Sequence, residues 1–105
     1  MKNENIKRAY IIFVSDTKQY KNNKINSENI LNELYMLCNT AGYKVIERYS
    51  FIQPKISART YIGIGKLESL KENALIDNAE YFIFDNELSG SQVNAIEENS
   101  NITAL

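Results

Sequence analysis

The run Arg8-Ala9-Tyr10-Ile11-Ile12-Phe13-Val14-Ser15 (RAYIIFVS) is apolar almost without interruption and rich in β-branched and aromatic residues. A strand that alternates apolar and polar residues buries one face. A strand with no polar interruption has to bury both. Helices on either side of a parallel sheet provide that cover, because parallel neighbours are joined by long helical crossovers. The run therefore predicts a first strand of an α/β fold, buried on both faces.

The pattern outward from it agrees. Asp16 to Asn26 is polar and reads as a loop, and Ser27 is a candidate helix cap. Ile30, Leu31, Leu34, Tyr35, Cys38 and Ala41 recur at helical spacing, and Gly42 follows where a left-handed end is expected. Tyr43 to Gln53 alternates through Val45, Glu47, Tyr49 and Phe51 as a second strand, ended by Pro54. After a loop and the short extended piece Tyr61 to Gly65, a second helix places Leu67, Leu70, Ala74 and Leu75 on one side. Ala79 to Asp85 (AEYFIFD) reads as a third buried strand. Ser89-Gly90-Ser91-Gln92 has the serine-to-glutamine spacing of a capping box, with Val93 and Ile96 facing inward from the helix it opens. Ile102 to Leu105 reads as the start of a fourth strand. The expected fold is α/β, a mainly parallel four-stranded sheet with three helices in the order β-α-β-α-β-α-β. The chain is still apolar at Ala104-Leu105, so residues 1–105 read as one domain of a longer protein.

Composition removes several kinds of chemistry. The 105 residues include one cysteine, no histidine and no tryptophan. Without histidine the commonest general base and metal ligand are missing, and a lone cysteine forms no internal disulfide. No apolar run approaches the ~20 residues of a membrane-spanning helix, so no membrane span is expected. A cytoplasmic location suits the cysteine count. The net charge is −1, unevenly spread. Residues 44–71 hold six Lys/Arg and two Asp/Glu, whereas residues 72–105 hold seven acidic residues and no basic one. The first block suits a polyanion and the second repels it.

Two motifs carry candidate chemistry. In Thr60-Tyr61-Ile62-Gly63-Ile64-Gly65-Lys66 the glycines suit a tight turn, and the lysine stands where a helix start favours an anion. Leu67 after Lys66, and Thr60 five positions before Gly65, exclude a P-loop. Glu68 excludes the dinucleotide pattern. The second motif, Phe84-Asp85-Asn86-Glu87-Leu88-Ser89, lies at the carboxyl end of a strand, where open parallel sheets bind ligands. Asp85 and Glu87 suggest a metal or phosphoacceptor, but only Asp16 is available as an acid after the first strand and no lysine follows Lys71. Caps and loop bonds are the simpler role for Asp85 and Ser89. The tyrosines and phenylalanines fall mostly in strands, which favours core packing over base stacking.

In their order these motifs resemble the amino-terminal domain of the HflX family of GTP-binding proteins. The matching residues are Thr40-Ala41-Gly42, then Thr60-Tyr61-Ile62-Gly63, Gly65-Lys66, Glu68 and Leu70, then Phe84 to Ser89 with Ser91-Gln92. Asn86 stands where the family usually has aspartate, and Gly90 where proline is common. The resemblance implies a parent that continues into a helical hairpin and a G domain, where GTP and Mg2+ are held. It also implies association with the large ribosomal subunit. This chain would then be non-catalytic and hold no cofactor or metal of its own. Lys55, Arg59 and Lys66, with Lys44 and Arg48, would contact ribosomal RNA. Tyr61, Gly63, Gly65, Asp85, Glu87, Ser89 and Gln92 would form tight turns or dock on the parent's own G domain. The competing reading is a free-standing small-ligand or phosphoacceptor α/β domain.

Overall fold

A computed structural model describes residues 6–16 and 26–105. The first five residues and segment 17–25, most of the first loop read above, lie outside them. Four strands form one sheet: β1 (Lys7–Ser15), β2 (Tyr43–Ile52), β3 (Tyr81–Phe84) and β4 (Thr103–Ala104). They alternate with helices α1 (Asn26–Thr40), α2 (Ile64–Asp77) and α3 (Gly90–Ser100). The strand order is β2-β1-β3-β4, and every pairing is parallel. The expected α/β fold is the one found.

The uninterrupted run is central because it is covered twice. Tyr10, Ile12 and Val14 point to one face with Phe82 and Phe84, where Leu67, Leu70 and Ala74 of α2 and Ile96 of α3 meet them. Ala9 and Ile11 point to the other face with Ile83, against Leu31 and Cys38 of α1. Tyr10 is fully buried, with its ring stacked on Phe82 at 6.0 Å and edge-on to Tyr49 at 5.1 Å. Its hydroxyl donates to the Asp77 carboxylate at the end of α2. Burial first, and that hydrogen bond second, push its pKa far above the usual tyrosine value.

Several local expectations need correction. Among the described residues helix α1 already includes Asn26, so Ser27 lies inside it rather than before it. Ala41 is exposed beyond the helix end, and Gly42 takes the expected left-handed conformation at φ 95°. Leu75 is 70% exposed, because the buried stripe of α2 runs through Leu67, Leu70 and Ala74 and turns away from it. The simple alternation of β2 also fails. The register slips between Ala9 and Tyr10, which pair with Val45 and Glu47, leaving Ile46 as an extra residue. Such a bulge reverses the facing of everything after it. Tyr43 and Val45 therefore pack with α1, whereas Ile46, Tyr49 and Phe51 pack on the opposite face.

Candidate functional site

In an order of 2-1-3-4, the connections that leave β1 and β3 run to opposite sides. The crevice beyond the carboxyl ends of β1 and β3 is then the usual ligand position. Here Asn86 fills it. Its Oδ1 accepts the Val14 N–H at 2.9 Å, and its Nδ2 donates to the Val14 carbonyl at 2.8 Å. The carboxamide thus extends the β1–β3 ladder by one more rung, in place of backbone. An ionised aspartate at this position would accept from Val14 N–H but offer nothing to the carbonyl. Nδ2 also donates to the Tyr61 hydroxyl at 3.3 Å, which ties the third-strand corner to the glycine-lysine segment.

The loop before α2 is built by Ser57. Its Oγ accepts from the Arg59 and Thr60 N–H groups at 3.2 and 3.1 Å. Its backbone exchanges both hydrogen bonds with Tyr61, each at 3.0 Å. A serine closing a turn this way is a recognisable local signal, although spacing alone did not single it out. The left-handed residue of the turn is Tyr61, at φ 69°. Gly63 is an ordinary helix N-cap residue at φ −64°, and Gly65 lies inside α2. The expectation that Gly63 and Gly65 make the tight turn is therefore corrected: the helix starts at Ile64, and the strained position is a tyrosine.

The capping box of α3 is present as read. Ser89 Oγ accepts from Gln92 N–H at 3.1 Å, and Gln92 Oε1 accepts from Ser89 N–H at 2.9 Å. The same carboxamide reaches across the fold, where Nε2 donates to the Ser57 carbonyl at 3.2 Å. Two side chains, Asn86 and Gln92, therefore join the two motifs that lie some twenty residues apart in sequence. Replacing Ser89 by alanine is expected to cost about 1 kcal/mol. Thermal unfolding checks it; an unchanged midpoint would mean that the cap carries no weight.

The basic residues do not form one patch. Lys55 and Arg59 are exposed on the loop between β2 and α2. Lys66 is half-buried and occupied: its ammonium donates to the Ile52 carbonyl at 2.8 Å and to Gln53 Oε1 at 3.1 Å, and lies 5.3 Å from the Phe51 ring centre. Its first role is to close the end of β2 onto α2. Arg48 lies over the Tyr35 ring at 4.8 Å and donates to Asn32, so it belongs to the α1 face. Lys44 pairs in register with Arg8 near the amino end of the sheet, away from the corners. Asp85 and Glu87 are exposed on the loop after β3. Partial desolvation of its carboxyl group, and then the charge of Glu33 on α1, push Asp85 above its ordinary pKa although the residue as a whole is exposed. Among the described residues no group of three or more His, Cys, Asp or Glu is placed to hold a metal ion, and no helix is long and apolar enough to cross a membrane.

Residues 28–105 match the family model described as GTP-binding GTPase N-terminal. The chain is 39% identical over 71 residues to GTPase HflX of Caldanaerobacter subterraneus subsp. tengcongensis, covering 68% of this chain and 17% of that protein. It is 36% identical over 62 residues to GTPase HflX of Flavobacterium psychrophilum, covering 59% and 15%. Against GTPase HflX of Chlamydia pneumoniae it is 33% identical over 87 residues, covering 79% and 18%. The matched part is thus less than a fifth of each relative's length. Both motif blocks lie inside the matched region, joined by Asn86 and Gln92, and the chain belongs to the GTP-binding GTPase N-terminal family, as an HflX amino-terminal domain.

Proposed function

We propose that residues 1–105 form a non-catalytic domain of a longer cytoplasmic GTP-binding protein, and that this domain helps it engage the large ribosomal subunit. The observation that carries the reading is the loop between β2 and α2. It holds Lys55 and Arg59 exposed, while Ser57, Tyr61 and Gln92 fix its backbone. Two cations on a braced loop suit the phosphates of ribosomal RNA, because little ordering remains to be done on contact. Lys66 braces this loop's neighbour and is not one of the contacts. GTP and Mg2+ belong to the parent's G domain. That domain packs near the same corner, where Ile52 and Ile64 are 38% and 52% exposed.

The test is co-sedimentation of the longer protein with large subunits over a range of salt. The double replacement Lys55→Glu and Arg59→Glu should weaken binding by about tenfold or more at low salt and lower the slope of log affinity against log salt by roughly one to two. Equal affinity and equal slope would reject the assignment.

A further inference from the structure

The two faces of the sheet are covered unequally. On one face α2 and α3 pack against each other over the core. The other face carries α1 alone among the described residues, seated over β1 and β2. The short β4 registers the difference. Ile102 and Ala104 turn to the α2–α3 face and are 8% and 5% exposed. Thr103 pairs in register with Tyr81 of the α1 face and is exposed, and Leu105, two residues on, is 51% exposed. The roll of α1 adds to this surface. Arg48 of β2 engages Asn32 and Tyr35 on one flank of the helix, whereas the charge of Glu33 bears on Asp85 after β3. Leu37, one turn beyond Glu33, therefore lies on the flank toward β3, where it is 68% exposed beside the half-buried Ile30 and Leu34.

A wholly parallel sheet is normally covered by helices on both faces. The strip between the Leu37 flank of α1 and β4 has the apolar lining for a second helix on its face. Two observations indicate that the cover comes from the same polypeptide, beyond residue 105. The outer edge of β4 is closed: Thr103 and Leu105 N–H bond to β3, and the outward Ala104 N–H donates to Glu97 Oε2 at 2.9 Å. A crossover to a fifth strand would need that edge, so chain leaving β4 is steered onto a face. The α2–α3 face is filled, and Leu105 itself stands on the other one. The length of the relatives supports the same source, since the matched part is less than a fifth of each.

We propose that an amphipathic helix encoded after residue 105 packs beside α1 on this face, its apolar side over Leu37, Tyr81 and Leu105. The proposal rests on the reading that residues 1–105 belong to a longer protein. It does not depend on RNA binding by Lys55 and Arg59, which lie on a different surface.

The test is hydroxyl-radical labelling of the longer protein, with each side chain compared with its own rate in the urea-unfolded state. Leu37 and Leu105 are expected to react about fivefold or more slowly than when unfolded, as side chains taken out of water do. That protection should be the same at every protein concentration and without ribosomes. In Leu37→Lys the protection of Leu105 should be lost, while the core residues Leu31 and Ile12 keep theirs and report that the domain is still folded. Leu37→Met should leave Leu105 protected. The proposal is overturned if Leu37 reacts at its unfolded rate, or if Leu105 stays protected in Leu37→Lys. Protection that disappears on dilution to a monomer would make a second copy the occupant. Protection that needs added large subunits would make it an outside partner. Either result also overturns the proposal, and neither bears on the salt dependence of Lys55→Glu and Arg59→Glu, so the two readings fail separately.

Discussion

Phe82→Ala is expected to lower the stability of this chain by about 3–5 kcal/mol, the usual range for deleting a buried aromatic side chain. Phe82 is fully buried in the middle strand pair, stacked on Tyr10 and placed between β1 and the two helices on its face. Its ring neighbour Tyr10 is itself held by Tyr49 and Asp77, which limits how far that ring can move into the space. A domain of this size has a total stability of roughly 5–15 kcal/mol, so the loss is a large share of it. At about 4–8 °C per kcal/mol for a domain near 100 residues, the unfolding midpoint should fall by about 12 °C or more. A shift of only a degree or two in a thermal melt would mean that the sheet face is not packed as described.

Asn86→Ala is expected to cost about 2–4 kcal/mol without removing apolar area. Val14 is fully buried, and both its N–H and its C=O are bonded to the Asn86 carboxamide. Each buried backbone group left without a partner costs about 1–3 kcal/mol. The loss also frees the Tyr61 hydroxyl at a residue held at positive φ. Chemical unfolding measures the cost. Asn86→Ala should also be more destabilising than Ser89→Ala, although both remove a single polar side chain from neighbouring loop positions. The reverse order would show that the carboxamide is not bridging the strands.

Much of this was legible in the sequence, for identifiable reasons. β1 was readable because burial on both faces removes polar residues from the whole run, and that is a property of local composition. The capping box was readable because Ser89 and Gln92 bond to each other across three residues. The bulge at Ile46 was not readable: it arises from the register between β1 and β2, and Val45, Glu47, Tyr49 and Phe51 alternate acceptably without it. The turn at Tyr61 was hidden for a similar reason. Two nearby glycines are the obvious candidates for positive φ, yet a tyrosine takes it because Ser57 and Asn86 hold it from outside its own neighbourhood. Lys66 was placed correctly at a helix start, but its partners Ile52 and Gln53 come from the preceding strand, and they turn an anion contact into an internal brace. Charge counting grouped five cations that the fold distributes over a loop, a brace, the α1 face and the far end of the sheet.

The joining of the two corners is tested most directly by amide hydrogen exchange, compared residue by residue between the unaltered chain and Asn86→Ala. If Asn86 links the crevice to the loop, protection should fall together at Val14, Ser57 and Tyr61, while Leu34 and Tyr35 of α1 keep theirs. Faster exchange at Val14 with Ser57 and Tyr61 unchanged would contradict it, and the two motifs would then be neighbours that share no mechanical connection.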